Sequence, residues 1–392
     1  MAVLIAGTGS VCAPGAGVDI GFDALCGGLD YLKPYFHPDL PNIAPLCAAV
    51  EYDLELIAGR EGLFKTLALA LVAADEAMQP FPRSSNLRLG VVAATTVGGI
   101  SQTENAYKNY RTDKNSLPVL AVECAVHEPS VLAAELCRQV GGCGFHTVST
   151  ACSSSLHAIG MGKRLIDRGY YDACLVVGAD ALCITTVRGF GSLTLLDPQG
   201  CRPFDKNRAG ISLGEGAGAM LLVSETAASR CARPVKATIR GWGASSDCFH
   251  MTAPHPEGKG ALAAIEAALA EAGIAPDAID GIVAHGTGTP DNDKAEIAAL
   301  KPLFTKLPPF CSIKRTIGHT LAASGILETV FAVKMMETGF MPSTGGFKDI
   351  DPQIDAAPAG ASKINLRTVL KNSFGFGGNN AALVISLPGE SA

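Results

Sequence analysis

The sequence lacks any apolar run long enough to cross a bilayer. The longest near its start, Leu67–Ala74, is far short of the ~20 residues a spanning helix needs. It has no CxxC pair, and its 13 cysteines are an odd number. A disulfide framework and a zinc ribbon are therefore not expected, and most of these thiols read as small buried apolar groups in a reducing cytoplasm. No HxH or HExxH spacing is present, so no metal centre is expected. The phosphate-cradling GxxxxGK[ST] is missing, and Gly7-Thr-Gly9 is a lone GxG with Cys12 where a third glycine belongs, which argues against a nucleotide site. Charged residues make up only 17% of the chain and the net charge is −6, which argues against a nucleic-acid binder resting on bulk positive charge. The opening segment Met1–Gly9 has no basic leader and reads as a first strand entering a turn, so no secretory signal is expected.

What is present is core-forming material. Hydrophobic residues are 48% of 392, enough for a sizeable core and incompatible with disorder. Apolar strand, turn and helix alternate along the chain, which predicts an α/β layered fold. The motif order echoes itself. Gly144–Ser149 reads as a strand, followed by a loop and a helix over Ser153–Ile166. Phe310–Ile313 reads as a strand, followed by a loop over Lys314–His319 and a helix over Thr320–Met336. Each half closes on a glycine-rich loop and an apolar run, Gly214–Gly218 into Ala219–Val223 and Phe376–Asn380 into Ala381–Leu387. The expectation is a duplicated core with halves 1–230 and 231–392.

Cys152 lies between a predicted strand and a predicted helix. A thiol there meets the unpaired N–H groups and positive end of the helix, which lowers its pKa. The alternative is one more buried structural cysteine. His285 follows an apolar stretch straight into Gly286-Thr-Gly-Thr289, and His319 ends Lys314-Arg-Thr-Ile-Gly-His319. Glycines beside both let a ligand approach closely. Lys314 can tune an imidazole or hold an anion. Glu328, nine residues past His319, reads as a structural carboxylate and not as its partner. Asn372–Asn380 is the densest glycine motif; its backbone can present N–H groups to an oxyanion, and Phe374 and Phe376 can line or gate an apolar channel.

Together, Thr150-Ala-Cys152-Ser-Ser-Ser, Cys201-Arg-Pro-Phe-Asp-Lys206, Leu213-Gly-Glu-Gly-Ala-Gly218, Ala284-His-Gly-Thr-Gly-Thr289, Lys314-xxxx-His319 and Asn372-Ser-Phe-Gly-Phe-Gly-Gly378 resemble the elongating β-ketoacyl-acyl carrier protein synthases, condensing enzymes of the thiolase-like superfamily. The resemblance implies two βαβαβαββ halves in five α-β-α-β-α layers, commonly dimeric. It implies that Cys152 takes an acyl group from a phosphopantetheine thioester, with the N–H groups of Cys152 and Phe376 as oxyanion hole. His285 and His319 then stabilise the enolate formed as a malonyl-acyl carrier protein loses CO₂, with Lys314 supporting them. The product is a 3-oxoacyl thioester. Thr287, Thr289 and Gly377 match positions facing the pantetheine arm, Phe190 an acyl-pocket position, and Phe374 and Phe376 the gate. No cofactor is implied beyond the carrier's phosphopantetheine. The implied partners are an acyl carrier protein and a second synthase-like chain, as homodimer or heterodimer. Nucleic acid and membrane are not among them.

The alternatives are a thiolase and a non-catalytic chain-length-factor-like subunit. A thiolase needs a second cysteine in the loop that here reads Phe374-Gly-Phe-Gly-Gly, and the subunit typically lacks the nucleophile that Cys152 supplies. The chain departs from the family's usual pattern at Arg315, Ala322 and Ser324. Ser101, Gln102 and Thr103, where the family closes its acyl tunnel, are smaller and more polar than a tunnel for a saturated C16 chain favours. This leans the substrate toward a specialised polyketide or polyene pathway, an aryl-polyene-type synthase being one example, against a housekeeping fatty acid enzyme. An acidic carrier calls for a local basic patch, for which Arg60 and Lys65 are candidates.

Overall fold

The computed structural model describes residues 2–40, 44–82 and 86–389. The main sheet runs through β1 (Val3–Cys12), β2 (Leu89–Ala94), β3 (Gly144–Val148), β4 (Ala173–Asp180), β5 (Gly216–Ser224), β6 (Ala237–Ser246), β7 (Gly281–Val283), β8 (Phe310–Cys311), β9 (Thr368–Gly375) and β10 (Asn379–Ser386), and a two-residue strand, Gly15–Ala16, folds back on the end of β1. Helices of nine residues or more are α1 (Val18–Cys26), α2 (Lys65–Ala77), α3 (Ile100–Thr112), α4 (Pro129–Val140), α5 (Ser154–Asp167), α6 (Ile184–Ser192), α7 (Lys259–Ala272), α8 (Pro290–Leu300) and α9 (Ser324–Thr338).

The strands lie in the order β8-β7-β9-β10-β6-β1-β5-β4-β2-β3. Taken from either outer edge, the two sets of five follow one rule: third, second, fourth, fifth, first. The pairing sense repeats as well. β2 runs parallel to β3 and β4, and β5 antiparallel to β4 and β1. β7 runs parallel to β8 and β9, and β10 antiparallel to β9 and β6. The two sets join through only the first residues of β1, Val3 to Ile5, against Ile239 to Ala237 of β6. That short seam lets them fold over a shared middle layer.

α5 and α9 form that layer, each contacting strands of both sets. α9 is buried on nearly every face, with Leu327, Val330 and Phe331 fully enclosed. Each such side chain contributes about 1.5–3 kcal/mol by leaving water. α2 covers the outer face of the first set, and α7 covers the second. Glycine sets the α2 spacing: a Cβ at Gly7 or Gly9 would stand 2.0 Å from the carbonyl oxygens of Ala77 or Ala73. The layers are therefore α-β-α-β-α, as the resemblance implied.

The boundaries follow the sequence reading closely in the strands. The helix expected from Thr320 instead opens with a 3₁₀ turn, Leu321–Ala323, before α9 begins at Ser324. His319 thus precedes the helix that carries Glu328. No single helix among the described residues is long and apolar enough to cross a membrane.

Candidate active site

Cys152 sits in the tight turn from β3 into α5. Ala151 takes the left-handed conformation at φ 52°, and the following serines pin it there. Ser154 Oγ accepts from Thr150 N–H at 2.8 Å and donates to Ala151 O at 2.5 Å, while Ser153 Oγ donates to Thr150 O at 2.8 Å. Gly375, at the end of β9, lies directly against this turn. A Cβ there would stand 2.7 Å from Thr150 O and 3.2 Å from Cys152 N. The backbone N–H groups of Phe376 and of Cys152 itself favour the thiolate of Cys152. Burial pushes this thiol up to about 12, with Lys314 and the two N–H groups pulling it down and Asp180 raising it. The lowered pKa expected from the helix terminus is therefore overturned: the thiol is only 6% exposed, and desolvation outweighs the favourable dipoles.

His285 and His319 face the same space, their rings 5.5 Å apart and nearly perpendicular. Phe374 packs edge-on against His285 at 5.8 Å. Leu321 N–H donates to His319 Nδ1 at 3.2 Å, so the neutral ring carries its proton on Nε2, as a donor. Burial, then the charges of Lys314 and Lys371, hold both imidazoles well below their usual 6.5. For His285, the neighbouring His319 also contributes. Both rings are thus neutral near pH 7. The loop after β7 is tied down by Glu296 of α8, which accepts the N–H groups of His285 and Gly286 at 2.8 Å each.

Beneath the histidines lies a buried ionic chain. Lys314 Nζ donates to His285 O and to Glu328 Oε1, each at 2.5 Å. Glu328 Oε2 lies 2.8 Å from Lys371 Nζ. Glu328 is thus a buried structural carboxylate and not a partner of His319, as expected, although His319 lies outside its helix and the two lysines it joins were not foreseen. Lys371, Glu296 and Asp180 escaped the sequence reading. Each is a charge set in or beside an apolar run, as in Thr368-Val-Leu-Lys371, and that incongruity was the available signal.

A cavity of about 70 Å³ is lined by Cys152, His285, His319, Phe374 and Phe376, together with Phe190, Thr287 and Thr289. The rings of Phe190 and Phe376 lie 5.6 Å apart, tilted by 33°, and Thr287 and Thr289 share a 2.9 Å hydroxyl contact. Gly377 is exposed and not in this lining; its N–H donates to Met251 O at 2.8 Å. Ser101, Gln102 and Thr103 form the first turn of α3, also away from this lining. Arg60 pairs with Asp75 at 2.9 Å and Lys65 with the buried Glu215 at 2.6 Å. Their charges are spent within the chain, which removes the argument for a docking patch there. Arg315 pairs with Asp30 and donates to Gln199 O and Cys201 O, a structural tie that accounts for it without reference to substrate. No cluster of metal-ligating side chains occurs among the described residues.

Residues 64–228 match the family described as beta-ketoacyl synthase, N-terminal domain, and residues 236–348 the corresponding C-terminal domain. The chain belongs to the β-ketoacyl synthase family. It is accordingly a condensing acyltransferase that joins an acyl-enzyme thioester to a malonyl thioester with loss of CO₂, in fatty acid or polyketide synthesis. Among its relatives, Nodulation protein E of Rhizobium meliloti is 31% identical, covering 97% of this chain and 98% of that protein. The 3-oxoacyl-[acyl-carrier-protein] synthase 2 of Coxiella burnetii is also 31% identical, covering 98% of both. Among solved structures, the ishigamide ketosynthase/chain length factor superposes with a TM-score of 0.91 at 29% identity over 99% of both chains. A ketosynthase, ApeO, in complex with its chain length factor ApeC from Xenorhabdus doucetiae gives 0.84 at 31% identity over 98% of both. Another ketosynthase of this kind was solved with an acyl carrier protein.

Proposed function

We propose that Cys152 is the acyl acceptor of this synthase and that His285 and His319 drive the decarboxylative half of its reaction. The observation that carries this reading is one cavity lined by the thiol, both histidines and Phe376, whose backbone N–H favours the thiolate. The thiol attacks the carrier thioester, the pantetheine thiol leaves, and the acyl group stays on Sγ. The N–H groups of Cys152 and Phe376 receive the developing oxyanion. A malonyl thioester then enters, and neutral imidazole N–H donors hold its carbonyl oxygen as CO₂ departs and an enolate forms. The enolate carbon attacks the acyl carbon and Cys152 leaves, giving the 3-oxoacyl product. Decarboxylation itself supplies the carbanion, so the chemistry calls for no metal or redox cofactor. Lys314 supports the pair through the His285 carbonyl. Thr287, Thr289 and Gly377 guide the pantetheine arm, Phe190, Phe374 and Phe376 shape and gate the acyl entry, and Ser101, Gln102 and Thr103 close the far end of the acyl tunnel.

The halves 1–230 and 231–392 are read as duplicated units, the division falling between β5 and β6, where the strand order begins to repeat. The proposed setting is a cytoplasmic polyketide or polyene pathway with an acyl carrier protein and a second synthase-like subunit, in line with the chain-length-factor complexes among the structural neighbours. β3 is an edge strand with Phe145 exposed, and Leu117, Val119 and Val122 are exposed apolar residues, features suited to a partner chain.

Intact-protein mass spectrometry after incubation with a panel of acyl-carrier thioesters tests the reading. An acyl adduct on the parent and none on Cys152→Ala is expected, the heaviest adduct ranking the substrates. An adduct that persists in Cys152→Ala, or its absence from the parent with and without a partner subunit, overturns the assignment.

A further inference from the structure

Lys371 is fully buried in the middle of β9, yet the condensation described above gives it no task. In register it stands beside Val283, two residues before His285. Its ammonium reaches Glu328 Oε2 at 2.8 Å and the carbonyl of Asn372, and lies 3.5 Å from Ser373 Oγ. Burying an ammonium is expensive, and a β-strand packed between layers has no need of one.

The local charges show what it changes. Glu328 reaches Lys314 with one oxygen. With Lys371 on its second oxygen, one carboxylate spans two lysines beneath the histidines, and it supports the charged form of Lys371 against the cost of burial. The other nearby carboxylate, Glu296, is committed to three N–H donors: His285 N, Gly286 N and Asn372 Nδ2. Asn372 directly follows Lys371, so the same strand steadies the Glu296 cradle as well. Lys314 Nζ, with three donors, holds Glu328 Oε1 and the His285 carbonyl together.

We propose that Lys371 is a positioning residue for decarboxylation: through Glu328 and Asn372 it fixes Lys314 and the His285 loop behind the point where the enolate forms. Lys371 is among the charges acting on both histidines. Its loss should therefore weigh more on the second half-reaction than on the first.

The proposal rests on the function proposed above, and its test separates the two. Acylation of Cys152 by an acyl-carrier thioester is followed by intact mass. CO₂ release from malonyl-carrier thioester by the acylated enzyme is followed in a single turnover. Both are measured for the parent, Lys371→Met and Lys371→Arg. We expect Lys371→Met to acylate within about twofold of the parent and to release CO₂ roughly tenfold more slowly, about 1.4 kcal/mol in the barrier. Lys371→Arg should recover part of that loss. A parent that neither acylates nor decarboxylates refutes the proposed function itself. With an active parent, Lys371→Met decarboxylating within about twofold overturns the role of Lys371. Equal loss of both half-reactions in both variants, including through failure to fold, makes Lys371 structural and overturns it too.

Discussion

At the scale of single residues, the site works by exclusion of water. Neutral imidazoles are what the proposed chemistry uses, and burial beside two lysines is what keeps them neutral. This has a consequence in solution. In the folded protein both histidines resist protonation, while in the unfolded chain they titrate near 6.5. Below that pH the unfolded state binds more protons, so their contribution to stability falls as pH falls. The melting temperature should therefore decline from about pH 7 to about pH 5, and less steeply in His285→Asn/His319→Asn. The decarboxylation rate should stay level as pH rises through 6.5. A rate that falls with that rise would mean that imidazolium, not imidazole, is the working form.

Elements bring these residues together through close backbone contact. The β9–β10 loop reaches Cys152 only because Gly375 has no side chain. Its own backbone, φ −114° and ψ 153°, suits any residue, so a substitution there isolates the contact from conformational strain. Gly375→Ala would place a Cβ 2.7 Å from Thr150 O and push the Phe376 N–H away from the Cys152 turn. We expect at least about a tenfold loss in Cys152 acylation with a destabilisation of only about 1–3 kcal/mol. Stopped-flow acylation and thermal melts measure the two effects. Unchanged acylation would remove the Phe376 N–H from the oxyanion hole.

Across the whole molecule, two five-strand sets are locked over one helical layer, and a few buried carboxylates do much of the locking. Asp180, at the end of β4, accepts from Thr95 Oγ1, Thr96 N–H, Thr96 Oγ1 and Val97 N–H in the first half. It also accepts Ala322 N–H at 2.8 Å from the turn that follows His319 in the second half. Removing it leaves five donors unpaired. Asp180→Ala should cost on the order of 3 kcal/mol or more, and Asp180→Asn less, as a shift in denaturant midpoint. Because Ala322 lies one residue past Leu321, whose N–H fixes the His319 tautomer, decarboxylation should fall more than acylation in the Asn variant. Equal loss of the two would show that Asp180 carries stability alone.

Composition and motif order were enough for the layered α/β class, the duplicated plan and the catalytic candidates. Those depend on local patterns: apolar strands running into glycine turns, and reactive side chains at the strand ends. Cys152, His285 and His319 are legible for that reason, though 133 and 167 residues separate the cysteine from the two histidines. The ionic layer beneath them is not legible. Lys314, Glu328 and Lys371 come from three elements, and nothing local says that one carboxylate will span two lysines. Nor does spacing reveal that burial raises the Cys152 thiol against its helix terminus, or that Arg60 and Lys65 spend their charges on Asp75 and Glu215. A side chain's type and its place on an element follow from neighbours in sequence. Its protonation and its partners follow from neighbours in space, because the cost of burying a charge depends on what else the fold buries beside it.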